Sequence, residues 1–185
     1  MGPFDPETDP KLRNQILTYF MANIMTDTER AKVLGLPEGC RVREGAKILN
    51  IENFKCGQHV WIGEGAILDA QGGLTIGSYT QIGLNVMVWS HTSHWQALQG
   101  QTGTGRKNIS YKATKIGECC FIGGPSVIMP GVTIGNKVLV APMTVVEHDL
   151  SDGTISTGTN RTISQLQERV ALLEKRLAEI AETKK

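Results

Sequence analysis

The chain of 185 residues has 19 Lys and Arg against 18 Asp and Glu, and the resulting net charge of +1 offers no general attraction for nucleic acid or an anionic membrane surface. Its 21 glycines and 5% aromatic content suit a narrow body with many turns, and its length allows one compact domain with a short appendage. Cys40, Cys56, Cys119 and Cys120 show neither CxxC nor Cys/His metal spacing, no basic segment followed by an apolar run opens the chain, and no stretch approaches the length of a membrane span, so free thiols in a reducing cytoplasm are the expectation.

Residues 1–38 carry no six-residue period. Pro3, Pro6 and Pro10 keep the first ten residues irregular, after which Leu12, Ile16, Leu17 and Phe20 mark the apolar stripe of a helix. Thr26 or Asp27 caps a second short helix running through Leu34, which Gly35 and Pro37 stop. The repeats that follow would leave an open strand edge at their first coil, so this segment is expected to be a helical cap over that edge.

From Val42 a six-residue period begins: Val42, Ile48 and Phe54 keep step, Ile62, Leu68 and Leu74 form a second phase, and Ile76, Ile82 and Val88 a third after a two-residue slip. It is most regular from Ile116 through Ile122, Ile128, Ile134 and Val140 to Val146. A spacing of six fits neither the 3.6 period of a helix nor the alternation of one strand. It fits short straight segments joined by tight turns, each sending one branched side chain inward. The glycine that often follows either takes positive φ or comes close to the next coil. Three hexads close one triangular coil of about eighteen residues, which is the signature of a parallel β-helix. Slips are expected at its corners, where an extra residue loops outward.

The period stops over residues 89–115, WSHTSHWQALQGQTGTGRKNISYKATK, and resumes at Ile116, so this polar stretch is an excursion from the solenoid. A long loop inside a compact array is more often functional than not. Beyond residue 160, Ile163, Val170 and Leu177 alternate with Leu166, Leu173 and Ile180 as a and d positions of a heptad seam, with Arg169 at g and Glu174 at e. So few heptads are marginal alone but meet readily when tethered to bodies that already associate. The expected organisation is a cap over residues 1–38, an all-β solenoid over 39–160 with its excursion at 89–115, and a C-terminal coiled-coil helix over 161–185.

The blocks LTIGSYTQIGLNVMVWSHTSHW, residues 74–95, and KIGECCFIGGPSVIMPGVTIGNKVLVAPMTVVEHDL, residues 115–150, resemble the left-handed β-helix, hexapeptide-repeat acyltransferases, above all the bacterial sugar O-acetyltransferases of the galactoside, maltose and polysaccharide-modifying type. The likeness spans about Gly39 to Asn160, and PGVTIG, Pro130 to Gly135, is its most characteristic segment. The left hand of the helix comes with the resemblance alone, since chirality elsewhere favours right-handed crossovers. The resemblance also implies a homotrimer with its active sites in clefts between subunits, acetyl-CoA as donor, a saccharide acceptor and no metal.

Transfer of an acetyl group from a thioester to a hydroxyl needs a base, which a histidine near its ordinary pKa supplies at neutral pH. His91, in a Ser-His-x-x-His context, stands where the family places its catalytic histidine and is assigned as base; the alternative is a loop histidine that only hydrogen-bonds locally. His94 either orients the acceptor or His91, or stands by. Asp69, about one coil earlier, either holds the His91 tautomer or caps a corner. Gly123-Gly124-Pro125 matches the coil where the family presents a backbone N–H to the thioester, with Gly124 chosen as oxyanion donor. Pro142, Thr144, His148 and Arg161 fall near positions that line the rest of CoA. The sequence departs there from the family pattern: His148 replaces a Lys, and Gly158-Thr159-Asn160-Arg161 replaces a Gly-x-Pro-Ala, with Lys137 and Arg161 available to restore charge. Trp89 and Trp95 either stack on a sugar face or pack the loop. Arg106 and Lys107 either reach an anion or stay solvated, and Asn85 is a turn residue.

Three rival readings stand beside O-acetylation. N-acetylation of an amino sugar uses the same base, a γ-carbonic-anhydrase-like zinc site would need three histidines, from His59, His91 and His94, to meet across a subunit interface, and a trimeric scaffold would need no chemistry.

Overall fold

The computed structural model describes residues 25–100, 108–158 and 170–176. Three parallel sheets form the walls of a solenoid. The first face stacks Arg41–Val42, Trp61–Ile62, Gln81–Ile82, Phe121–Ile122, Leu139–Val140 and Ile155–Ser156. The second stacks Lys47–Leu49, Ile67–Asp69, Met87–Val88, Val127–Ile128 and Val145–Val146, and the third Phe54–Cys56, Leu74–Ile76, Thr114–Ile116 and Thr133–Ile134. This is the architecture of a parallel β-helix, and it follows from the hexad: one short strand per wall, one turn per corner.

The branched residues stack in columns. Val42, Ile62, Ile82, Ile122 and Val140 are in register on the first face, and Leu68, Val88, Ile128 and Val146 on the second. These side chains are buried almost completely. Each contributes about 1.5–3 kcal/mol by leaving water. A second inward position per hexad goes beyond the one expected. Val60, Thr80, Cys120 and Val138 on the first face, and Ala66, Val86, Ser126 and Thr144 on the second, are also buried, each two residues before a column member. Where that position is a hydroxyl it closes hydrogen bonds inside the corner: Thr80 Oγ1 donates to Gly117 O at 2.7 Å and accepts from Cys120 N–H at 3.1 Å.

The two offices expected of glycine separate. Positive φ falls three residues after the inward residue, at Gly39, His59, Tyr79, Cys119 and Lys137 on one corner, and at Gly45, Gly65, Asn85 and Met143 on another. The glycine that directly follows the column residue serves close approach instead. A Cβ on Gly117 would collide with the Gly135 carbonyl of the next coil.

Coils of about eighteen residues hold only late in the chain, from Ile122 to its partner Val140; Val42 to Ile62 and Ile62 to Ile82 are each twenty residues apart. The slip is confined to the corner between the second and third faces. There eight residues separate Leu68 from Ile76, against six from Ile128 to Ile134. Leu74, in register with Phe54 and Thr114, is the same second inward position that Val132 fills two residues before Ile134 in the later coil. The two extra residues therefore fall in the turn at Ala70 to Gly73. That longer corner is also where the excursion leaves the solenoid.

Helix α1, Asp27–Val33, starts at Thr26 with a capping box closed by Glu29. It lies over the first coil: Ala31 is buried and Arg30 Nε donates to Val42 O at 2.7 Å. The helical stripe expected over Leu12 to Phe20 lies outside the described residues. So does most of the heptad seam; residues 170–176 are helical, and Val170 and Leu173 are half exposed.

Candidate active site

The site grows from the long corner. Asp69 closes a second-face strand with its side chain fully buried, and Met87–Val88 of the next coil lies alongside, so the chain leaving Val88 passes directly over the carboxylate. Asp69 Oδ2 accepts from Ser90 N–H at 2.9 Å, His91 N–H at 3.0 Å, Ser90 O–H at 3.2 Å and His91 Nδ1 at 2.6 Å. Oδ1 accepts from Gln71 N–H at 3.1 Å. Burial pushes the carboxyl up, but the Ser90 N–H, the His91 ring and the Gln71 N–H outweigh it and hold Asp69 below the usual carboxylate range. An ionised carboxylate on Nδ1 keeps the proton there and leaves Nε2 as the basic nitrogen.

Ser90 is buried and ties the cluster to the turn, with Gly72 N–H donating to its Oγ at 2.8 Å. The excursion returns as an antiparallel pair in which Tyr111 faces His91 and Ser110 faces Thr92. The Tyr111 and His91 rings stack at 5.9 Å and 24°. One cavity of about 310 Å³ beside His91 is lined by Trp89, Thr92, Ser93, Met129 and Pro130, and a second of about 410 Å³, by Asn50, Asn53, Gln71 and Tyr111.

The structure thus brings Asp69, His91 and Trp89 together. His94 opens the short helix α2, His94–Leu98, with its Nδ1 on Thr92 Oγ1 at 2.9 Å and its ring tilted against the exposed Trp95. Gly124 lies elsewhere. It packs on Leu84 O at the head of the second face, whereas His91 follows that face's foot. With about 3.3 Å per residue of extended chain, the two stand roughly 15–20 Å apart in one copy. Pro142 is exposed and covers Gly123, and His148 is exposed at the foot of the last second-face strand. Thr144 is buried: its hydroxyl donates to Ala141 O at 2.7 Å, and its N–H donates to Ser126 Oγ at 3.2 Å. Asn85 has a φ of 56° at its corner, as a turn residue does. Arg106, Lys107 and Arg161 lie outside the described residues.

The histidines offered as zinc ligands do not converge within one copy. His59 stacks on Tyr79 at the corner between the third and first faces, and no group of three or more His, Cys, Asp or Glu among the described residues is placed to hold a metal ion.

Ser90, Tyr111, Gln71, Met129 and Pro130 were not singled out from the sequence. Ser90 carried the one available signal, as a small polar residue directly before the histidine. Tyr111 had none, because its place depends on the return strand of the excursion.

The family model for bacterial transferase hexapeptides (six repeats) matches residues 113–148. Over those residues the chain carries the hexapeptide repeat. Its fold is that of the left-handed β-helix acyltransferases. A UDP-3-O-acylglucosamine N-acyltransferase of Delftia acidovorans is 24% identical over 148 residues, 71% of this chain and 41% of that protein. The chain therefore spans about two fifths of that curated relative's length. Among solved structures, the N-acyltransferase AntD of Bacillus cereus, in complex with dTDP and 3-hydroxybutyryl-CoA, superposes with a TM-score of 0.56 at 16% identity, covering 81% of this chain and 100% of that one. A hexapeptide-repeat acetyltransferase of Vibrio cholerae gives 0.55 at 22%, covering 80% and 85%. A maltose O-acetyltransferase of Clostridium difficile 630 gives 0.50 at 22%, covering 80% and 81%. At such identities the hexapeptide-repeat β-helix shares their fold.

Proposed function

We propose that the protein is an acetyl-CoA-dependent acetyltransferase that moves an acetyl group to a hydroxyl of a saccharide, with His91 as general base. The observation that carries the reading is the 2.6 Å bond between His91 Nδ1 and a fully buried Asp69 carboxylate, which leaves Nε2 to accept a proton. Nε2 takes the acceptor hydroxyl's proton as its oxygen bonds to the thioester carbonyl carbon. A backbone N–H, with Gly124 the candidate, holds the oxyanion of the tetrahedral intermediate. The intermediate expels the CoA thiolate, and His91 returns the proton to that sulfur, so alcohol and thioester become ester and thiol. The cavity bounded by Trp89, Met129 and Pro130 suits the apolar part of the donor arm, and Pro142 and His148 are candidates for its later contacts.

This chemistry asks for a homotrimer. One copy holds His91 and Gly124 at opposite ends of the second face, so a neighbour must supply one of them. Exposed apolar side chains on the first and second faces, including Phe121, Leu139, Ile155, Met87 and Val145, and the half-exposed Val170 and Leu173 of the C-terminal segment, support self-association. A cytoplasmic setting and a place in polysaccharide modification complete the reading. N-acylation of an amino sugar is the second reading, favoured by the names of the Delftia and Bacillus relatives.

The test is release of free thiol from acetyl-CoA against a panel of sugars. His91→Ala should stay folded, keep its thermal shift with CoA and lose transfer; an active His91→Ala protein would sink the assignment.

A further inference from the structure

His91 and its stacked partner Tyr111 lie between two cavities of different chemistry. Toward the C-terminal coils the walls are largely apolar, with Trp89, Met129 and Pro130. Toward the N-terminal coils the cavity of about 410 Å³ is lined by three carboxamides, Asn50, Asn53 and Gln71, and the Tyr111 phenol. Its volume falls in the range of about 300–1,000 Å³ usual for small-molecule sites. Among the described residues lining it, none is ionised.

Each of these walls is tied to the Asp69–His91 pair or to the solenoid. Gln71 N–H donates to Asp69 Oδ1, so the residue is held two positions from the carboxylate that orients His91. Tyr111 is paired with His91 strand to strand and ring to ring. Asn50, at φ 59° and ψ 63°, opens the turn Ile51–Asn53 that drops Phe54 into the third-face column. The long corner of the early coils therefore builds the cavity.

We infer that this carboxamide-lined cavity is the acceptor subsite, and that it takes a neutral polyhydroxylated sugar ring, delivering a hydroxyl to His91 Nε2; the inference rests on the acetyl-transfer reading for its chemistry. A carboxamide offers two donors and an acceptor, which match vicinal hydroxyls that donate and accept in turn. Tyr111 adds an aromatic face and a phenolic hydrogen bond. An ammonium or a carboxylate on the reacting ring would meet no opposite charge among the described residues of this wall. The subsite thus favours O-acetylation of an uncharged sugar over N-acetylation of a hexosamine or transfer to a hexuronate.

The experiment uses three probe sets at matched concentration: methyl hexosides, hexosamines and hexuronates. Binding is read by saturation-transfer NMR on the full chain with CoA, and transfer by thiol release. Methyl hexosides should bind and be acetylated. Asn53→Ala and Gln71→Ala should each raise the acceptor KM about tenfold, the loss of one hydrogen bond, with less effect on kcat and with CoA's thermal shift retained. Failure of every methyl hexoside to bind, preference for a charged ring, or an unchanged acceptor KM in both variants overturns the inference. Hexoside binding that is lost in Asn53→Ala while no sugar is ever acetylated would keep the subsite and sink the transferase reading instead.

Discussion

Replacing Asp69 by Asn removes one charge and exchanges one acceptor oxygen for a donor at the most densely bonded point of the site. The carboxylate receives Gln71 N–H on one oxygen, and Ser90 N–H, Ser90 O–H, His91 N–H and His91 Nδ1 on the other. An amide can turn its oxygen to only one side. Turned toward Ser90 and His91, it keeps those bonds as neutral ones and sets its NH₂ against the Gln71 N–H, which is left unpaired. One unpaired donor and the loss of charge assistance cost about 2–3 kcal/mol of stability. Turned the other way, the NH₂ meets two backbone N–H groups, and Nδ1 must become an acceptor, moving the proton to Nε2 and abolishing the base. In either orientation kcat should fall roughly 10²–10⁴-fold, the usual worth of a positioned base, with the acetyl-CoA KM little changed. Initial rates of thiol release, with thermal unfolding measured in parallel, test this. A folded D69N protein retaining more than about a tenth of wild-type kcat would refute the coupling of Asp69 to His91. The pH dependence has a definite sign. Because the folded pKa of Asp69 is held down, its stabilisation is present above the unfolded value of about 3.9 and is lost as pH falls through the lowered one. The stability gap between wild type and D69N should therefore close on acidification below about pH 4.

Gly117→Ala should destabilise the fold by about 2 kcal/mol or more, since its Cβ meets the backbone of the next coil, whereas Lys137→Gly, at a φ of 55°, should be neutral or stabilising by up to about 1 kcal/mol; chemical denaturation curves compare them, and the reverse order would contradict the division between close approach and positive φ. Truncation after residue 160 should leave a trimer by sedimentation equilibrium, because so short a seam is marginal alone; a monomer would mean that the C-terminal helix drives assembly. Alkylation of the native protein at pH 8 should label the exposed Cys119 and spare Cys56, whose thiol is pushed up to about 12 by burial and the neighbouring Cys40. Rapid labelling of Cys56 before unfolding would show that the first coil opens.

The solenoid was legible in the sequence because its cause is local. A branched residue every six positions has one way to bury itself, and the columns from Val42 to Val140 and from Leu68 to Val146 follow from phase alone. The failure of that phase at residue 89 marked the excursion for the same reason, and His91 within it was marked by the Ser-His-x-x-His resemblance to the family. The two-residue slip was visible too, but its meaning was not: it lengthens the corner that carries Gln71, sits beside Asn53 and receives the excursion.

What only the tertiary structure decided are the neighbours across coils. Asp69 reaches His91 because two strands twenty residues apart stack in register, so a residue that reads equally as a corner cap is also the partner of the imidazole. Tyr111 joins them because the excursion returns antiparallel. The same stacking turned Thr144 inward and put Gly124 at the far end of the second face. Hexad spacing specifies which way a side chain points within its own coil, since local sterics and burial set it. Which residue it meets depends on the accumulated length of every corner between them, and no single hexad carries that sum.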